Sequence, residues 1–233
     1  MTPDFSLAHL TVINLTPPEV VSVAGRAGYR FVGLRFIGGT PETPAYPLMS
    51  DRPMLRETKA RLGDTGLRLL DVEFLRFAPE TEVRDFVPVL EAGAELGAKH
   101  AIAAAYDPDR SRLIERFAAL CDLAAPLGIV PVLEFFPWTD VNNLATATAV
   151  VEAAGRENAG VLVDVLHFDR SDSSFGELDA LPASRLPFLH LCDAPAEKPV
   201  TTEGLLHTAR LERLPPPDRC SRLVAAACMA PTS

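Results

Sequence analysis

The sequence predicts an α/β protein of the TIM (β/α)8-barrel type, with recognisable text for every strand but the final one. Three observations predict it. A helix–Gly–strand module recurs at a spacing of about 30 residues, the length of a βα unit. The strand segments are short continuous runs of Val, Ile, Leu and Phe, as expected of a parallel sheet covered on both faces. Seven such units fit in the 233 residues, and alternating strands and helices imply right-handed parallel crossovers.

Taken in order, the strands are expected to begin near residues 7, 31, 67, 99, 129, 160 and 186. The stretch VVSVAGRAGYRFVGLRFIGG gives a helix, Gly28, then a strand from about Arg30 to Phe36. The same order repeats through Gly66, Gly97 and Gly128, then through Gly155 and Gly160. Glycine just past a helix end supplies the left-handed conformation that closes the last turn. Residues 38–53, GGTPETPAYPLMSDRP, read as a long loop after the second strand. In a barrel that loop lies on the carboxyl-terminal face, where function collects. The run DPDRSRLIER is a helix start, with Asp109 as its N-cap.

A doubly wound open sheet is the competing arrangement. No G-x-G-x-x-G or Walker loop follows the first strand, so the nucleotide-binding version of that fold lacks its motif. The unit count favours the barrel. No linker interrupts the series, so residues 1–233 read as one domain, with residues 216–233 an atypical tail.

Composition narrows the function classes. The chain is 48% hydrophobic and 23% charged, with a net charge of −9 and its basic residues dispersed. It has no basic stripe for nucleic acid, no apolar run of about 18 residues for a membrane and no basic start for a signal peptide. A cytoplasmic setting is the expectation. Cys121, Cys192, Cys220 and Cys228 show no CxxC spacing and read as reduced thiols.

Polar residues interrupt the strand ends. VPVLEFFPW carries Glu134, VLVDVLHF carries Asp164 with His167 just beyond, and LPFLHLCDAP carries His190. These lie on three successive strands, and in a parallel barrel their carboxyl ends converge on one mouth. Two carboxylates and an imidazole in a water-poor pocket require a cation. The oxygen and nitrogen donors suit one divalent metal ion such as Mn²⁺, Mg²⁺, Co²⁺ or Zn²⁺. His167 falls where the chain is expected to leave the strand for a loop, within reach of a ligand. Phe135, Phe136 and Trp138 either wall the pocket or pack beneath its loop. Glu73 on the third strand either binds substrate or pairs with Arg35. His9 on the first strand is ambiguous, and His100, at the opposite end of the barrel, reads as structural.

At VLEFFP, VLVDVLHF and FLHLCDAP the sequence resembles the sugar phosphate isomerase/epimerase superfamily of xylose-isomerase-like TIM barrels, over roughly residues 1–215. The resemblance implies a divalent metal held by Glu134, Asp164, His190 and a second glutamate, with His167 contacting substrate. It implies a metal that polarises a carbonyl and hydroxyl pair while glutamates, Glu134 among them, move protons in enediolate chemistry. Arg210, in HTARLERLPP, resembles a family arginine that follows the seventh strand, and would bind substrate with Trp138 and Glu73. The implied activity is isomerisation or epimerisation of a small sugar or related polyhydroxy carbonyl compound. A lyase of inosose or dehydroshikimate type and a non-catalytic barrel are the alternatives. The partners expected are this substrate and, through open sheet edges, another copy of the chain as a homo-oligomer. Relatives continue after the arginine with a Gly-Glu-Gly turn, a helix and a strand ending in the second glutamate. Here the text is RLPPPDRCSRLVAAACMAPTS, which suits a truncated or frameshifted terminus and leaves three protein ligands.

Overall fold

The computed structural model of the protein describes residues 4–39 and 43–216. Its strands are β1 (Ser6–Leu7), β2 (Phe31–Arg35), β3 (Arg68–Phe77), β4 (His100–Ala105), β5 (Val130–Glu134), β6 (Gly160–Asp164) and β7 (Leu189–His190). They form one sheet in sequence order, every neighbouring pair parallel. That is the winding of a (β/α)8 barrel without its closing strand among the described residues. Strand starts agree with the sequence expectation to within a residue or so for β1 to β6. β7 begins at Leu189 rather than near 186, because a 3₁₀ turn over Ala183–Arg185 occupies the approach.

The helices are α1 (Pro17–Arg26), α2 (Arg52–Thr65), α3 (Val87–Glu95), α4 (Arg110–Ala124), α5 (Leu144–Ala154), α6 (Val165–Arg170), α7 (Phe175–Ala180) and α8 (Thr202–Leu211). Local chemistry sets their ends. Thr16 and Glu19 form a capping box at the start of α1, and Asp51 and Asp109 accept backbone N–H bonds from Met54 and Arg112 at the starts of α2 and α4. Each such cap contributes about 1 kcal/mol. Gly66 ends α2 at φ 71°, a conformation that strains any residue with a Cβ.

The main core lies between sheet and helices, and includes the fully buried Leu34, Phe36, Phe77, Leu90, Phe117 and Phe135. A smaller apolar group, Ile102, Val132 and Leu162, forms on the inner face of β4 to β6, with Phe74 and Phe188 packed against it. This floor positions the site. Side chains two residues apart on a strand share a face, so Glu134, Asp164 and His190 stand directly above Val132, Leu162 and Phe188. Glu73 likewise follows Asp71 on β3. Asp71 is buried beneath it, and a Cβ on Gly33 would lie only 2.7 Å from Asp71 Oδ1. Glycine is what lets β2 pass that carboxyl.

Two local expectations change. His9 lies not on β1 but in the 3₁₀ turn His9–Val12, since β1 ends at Leu7. There it is buried, accepts from the Arg35 N–H at 2.9 Å, meets the Leu15 carbonyl at 2.9 Å and stacks on Tyr46. His167 is helical rather than in a loop: Asp164 caps α6, and the chain turns directly from strand to helix. Cys121 and Cys192 are free. Cys220, Cys228 and the tail expected at 216–233, from residue 217 on, lie outside the described residues. Among the described residues no helix is long and apolar enough to cross a membrane.

Candidate metal centre

Glu134, Asp164 and His190 meet at the carboxyl ends of β5, β6 and β7. Asp164 and His190 are register partners across the β6–β7 ladder. His190 Nδ1 lies 3.9 Å from both Glu134 Oε1 and Asp164 Oδ2. His167 joins them from the first turn of α6, its Nε2 3.9 Å from Glu134 Oε1. Ligand atoms of Glu134, Asp164 and His167 all fall within 4.8 Å of one another, and all three residues are buried.

Asp164 has two jobs, one per oxygen. Its Oδ1 accepts from the backbone N–H groups of Leu166 at 2.9 Å and His167 at 3.3 Å, fixing the start of α6. Its Oδ2 accepts from Arg213 at 2.7 Å. A buried charge inside an apolar strand is tolerated when it is paired and hydrogen-bonded in this way.

The electrostatics separate the two carboxylates. Burial, and then the neighbouring Asp164 charge, push Glu134 well above the ordinary carboxylate range. Burial acts the same way on Asp164, but Arg213, His167 and His190 override it and hold that group well below the range. Burial lowers His167 to about 4 and lowers His190 as well, so both imidazoles are neutral near pH 7 and able to donate a lone pair. The set of buried carboxylate oxygens and neutral imidazole nitrogens, with imidazole–carboxylate separations of 3.9 Å, fits a divalent cation.

The other expected residues fall in different places. Glu73 is buried and paired with Arg35 at 3.0 Å, so the ion-pair alternative is the one the structure forms. Burial pushes Glu73 up, yet Arg35, ahead of His190, overrides it and leaves the group ionised. Trp138 lines the site: it packs edge-on to His167 at 5.2 Å, lies against Phe136 at 5.3 Å and donates its indole N–H to Tyr106 Oη at 3.1 Å. Phe136 also meets His167, at 4.9 Å, whereas Phe135 is turned into the main core. Arg210 is not brought to the site. It is exposed on α8. The arginine that enters is Arg213, which leaves the helix after Leu211 and reaches Asp164, Cys192 Sγ at 3.1 Å and His167 Nε2 at 3.5 Å. The sequence carried a clue to this. Pro215 and Pro216 restrict the residues just before them to non-helical backbone, so an arginine two residues before Pro215 stands past the helix end, free to turn inward.

A parallel barrel sheet with acid and imidazole side chains at its carboxyl ends defines a class, the TIM barrels whose site sits in the strand-end loops. The family model described as xylose isomerase-like TIM barrel matches residues 21–213, and the chain belongs to that family. Two curated relatives are inosose isomerases. One, from Halalkalibacterium halodurans, is 36% identical over 76 residues, covering 32% of this chain and 27% of the relative. The other, from Bacillus velezensis, is 28% identical over 121 residues, covering 48% of this chain and 43% of the relative. The match thus spans less than half the length of these relatives. Among solved structures, the IolI protein with a bound zinc atom superposes with a TM-score of 0.80 at 19% identity, over 99% of this chain and 86% of that one. The probable 3-DHS dehydratase AsbF of Bacillus anthracis does so at 0.67 and 16% identity, over 83% and 74%. At these identities the superpositions show the shared fold.

Proposed function

We propose that the chain is a metal-dependent isomerase acting on a small polyhydroxy ketone of the inosose class. One observation carries this reading: Glu134, Asp164 and His190 converge at three consecutive strand ends, with His190 Nδ1 3.9 Å from an oxygen of each carboxylate. The inosose isomerase name of the curated relatives and the zinc of the IolI neighbour support the substrate class and the cofactor. A divalent cation held by Glu134, Asp164 and His190 supplies Lewis acidity toward the substrate's carbonyl oxygen.

The protein's own groups do the rest. Glu134 is the proton carrier: it is buried beside the Asp164 carboxyl, and in the metal-free site burial and that charge raise its affinity for a proton. Neutral His167 presents Nε2 to a substrate hydroxyl. Phe136 and Trp138 offer a wall for the apolar face of a ring, and their contacts with His167 fix its orientation. Among the described residues at the mouth, Glu73 and Asp164 have guanidinium partners and Glu134 has none. A single carboxyl that takes a proton and returns it on the same face suits a 1,2-carbonyl shift.

The test is metal content by plasma mass spectrometry on protein purified without chelator, for the parent, Glu134→Ala and His190→Ala. Near-stoichiometric metal in the parent, lost in both variants, is expected. Incubation with inososes and ketoses in deuterated water should then give isomer carrying solvent deuterium, followed by NMR. An ultraviolet-absorbing enone instead of isomer would identify a dehydratase. Metal-free parent protein after incubation with Mn²⁺ and Zn²⁺ would refute the reading.

A further inference from the structure

Any cation that uses Asp164 meets an obstacle in the geometry. Oδ1 is committed to the Leu166 and His167 N–H groups that start α6, so a metal reaching Asp164 has Oδ2 to bind. That oxygen is held by the Arg213 guanidinium at 2.7 Å. Arg213 is no loosely tethered surface side chain. Its Nε donates to the Ala209 carbonyl at 2.7 Å, at the end of α8. The next residue, Leu214, exchanges two backbone hydrogen bonds of 2.8 Å with Asp193, just beyond β7. The stem is therefore anchored on both sides while the charged tip lies among Asp164, Cys192 and His167.

We infer that Arg213 is a resident counter-cation that competes with the metal ion for Asp164 Oδ2, so that metal loading requires the guanidinium to withdraw. This rests on the metal reading above and adds a residue that sets the metal's affinity. Like charges that close repel strongly in a partly desolvated site, and a ligand favours a conformation only by its differential affinity for it. Arg213 thus stabilises the metal-free protein by neutralising Asp164 and weakens the metal in the same act. The side chain is one-fifth exposed, which gives the withdrawn guanidinium a route toward solvent.

The experiment is calorimetric titration of Mn²⁺ and Zn²⁺ into chelator-stripped parent, Arg213→Ala, Arg213→Met and Arg213→Lys. Circular dichroism checks the fold of each, and Met keeps the apolar stem in case Ala does not fold. The neutral variants should bind metal roughly tenfold to a hundredfold more tightly than the parent, as removal of a close like charge predicts. Lys should fall between. Metal-free, the Ala and Met variants should melt below the parent and gain more on metal addition. Equal or weaker binding by the neutral variants, with parent binding that still depends on Glu134 and His190, overturns the competition and leaves the metal reading standing. No binding by any folded protein overturns both.

Discussion

Glu134→Gln should make the metal-free protein more stable while removing its capacity to hold a metal. Glu134 is 5% exposed and stands beside a second buried carboxylate. Its ion-pair contacts are two imidazoles at 3.9 Å, both rendered neutral by burial. With donor atoms within 4.8 Å, two unit charges at an effective dielectric of about 20 repel by about 3.5 kcal/mol. Arg213 beside Asp164 cancels part of this, leaving about 1–3 kcal/mol to be recovered by an uncharged isostere. For a chain of this size that is a rise of roughly 3–10 °C in melting temperature. The pH dependence fixes the cause. The folded-state affinity of Glu134 for its proton is raised, so above the ordinary carboxylate value the unfolded chain releases a proton that the folded chain keeps. Parent stability therefore falls as pH rises through that window, whereas the variant has no such loss. The variant's advantage should grow with pH from about 4.5 and level off once Glu134 ionises in the folded protein. Scanning calorimetry in chelator at several pH values measures this. A Glu134→Gln midpoint at or below the parent's at every pH would refute the reasoning.

Arg35→Ala should destabilise the protein by about 3–5 kcal/mol, because it leaves the Glu73 charge buried without its partner. Most of that loss should return in Arg35→Ala/Glu73→Gln, read from urea midpoints at unchanged slope. His167 gives an acid-side prediction. Its folded value is depressed from 6.5 to about 4, so the unfolded chain binds a proton that the folded chain refuses, and stability is lost as pH falls across that interval. His167→Asn in chelator should flatten that loss by up to about 3 kcal/mol. The parent–variant difference is the readout, since Glu134 acts in the opposite direction and His190 adds a slope of its own.

Much of the fold was legible because each unit carries its own punctuation. Helix-ending glycines and short apolar runs located β1 to β6, and the convergence of parallel strand ends on one mouth brought Glu134, Asp164 and His190 together. Two features were not legible for physical reasons. His167 looked like loop because HFDRSDSS is polar, yet the capping carboxylate of Asp164 lies three residues before it and starts a helix of six residues. Periodicity cannot reveal a helix that short. Arg213 was hidden by Arg210, three positions earlier. Choosing between them required knowing where α8 ends, and the run of three prolines after Leu214 held that information. Glu73 could not be assigned from spacing, because its partner Arg35 lies on a neighbouring strand.

The position of Trp138 has an optical consequence. It is the chain's one tryptophan, and its ring touches His167 and Phe136 while its N–H is held by Tyr106. All indole fluorescence therefore originates at the rim of the candidate centre, and excitation at the red edge of the absorption band selects it over the three tyrosines. Protonation of His167, or a ligand laid against that wall, changes the surroundings of the sole indole. Occupancy of the site can thus be followed in the unlabelled protein, in real time and at low concentration.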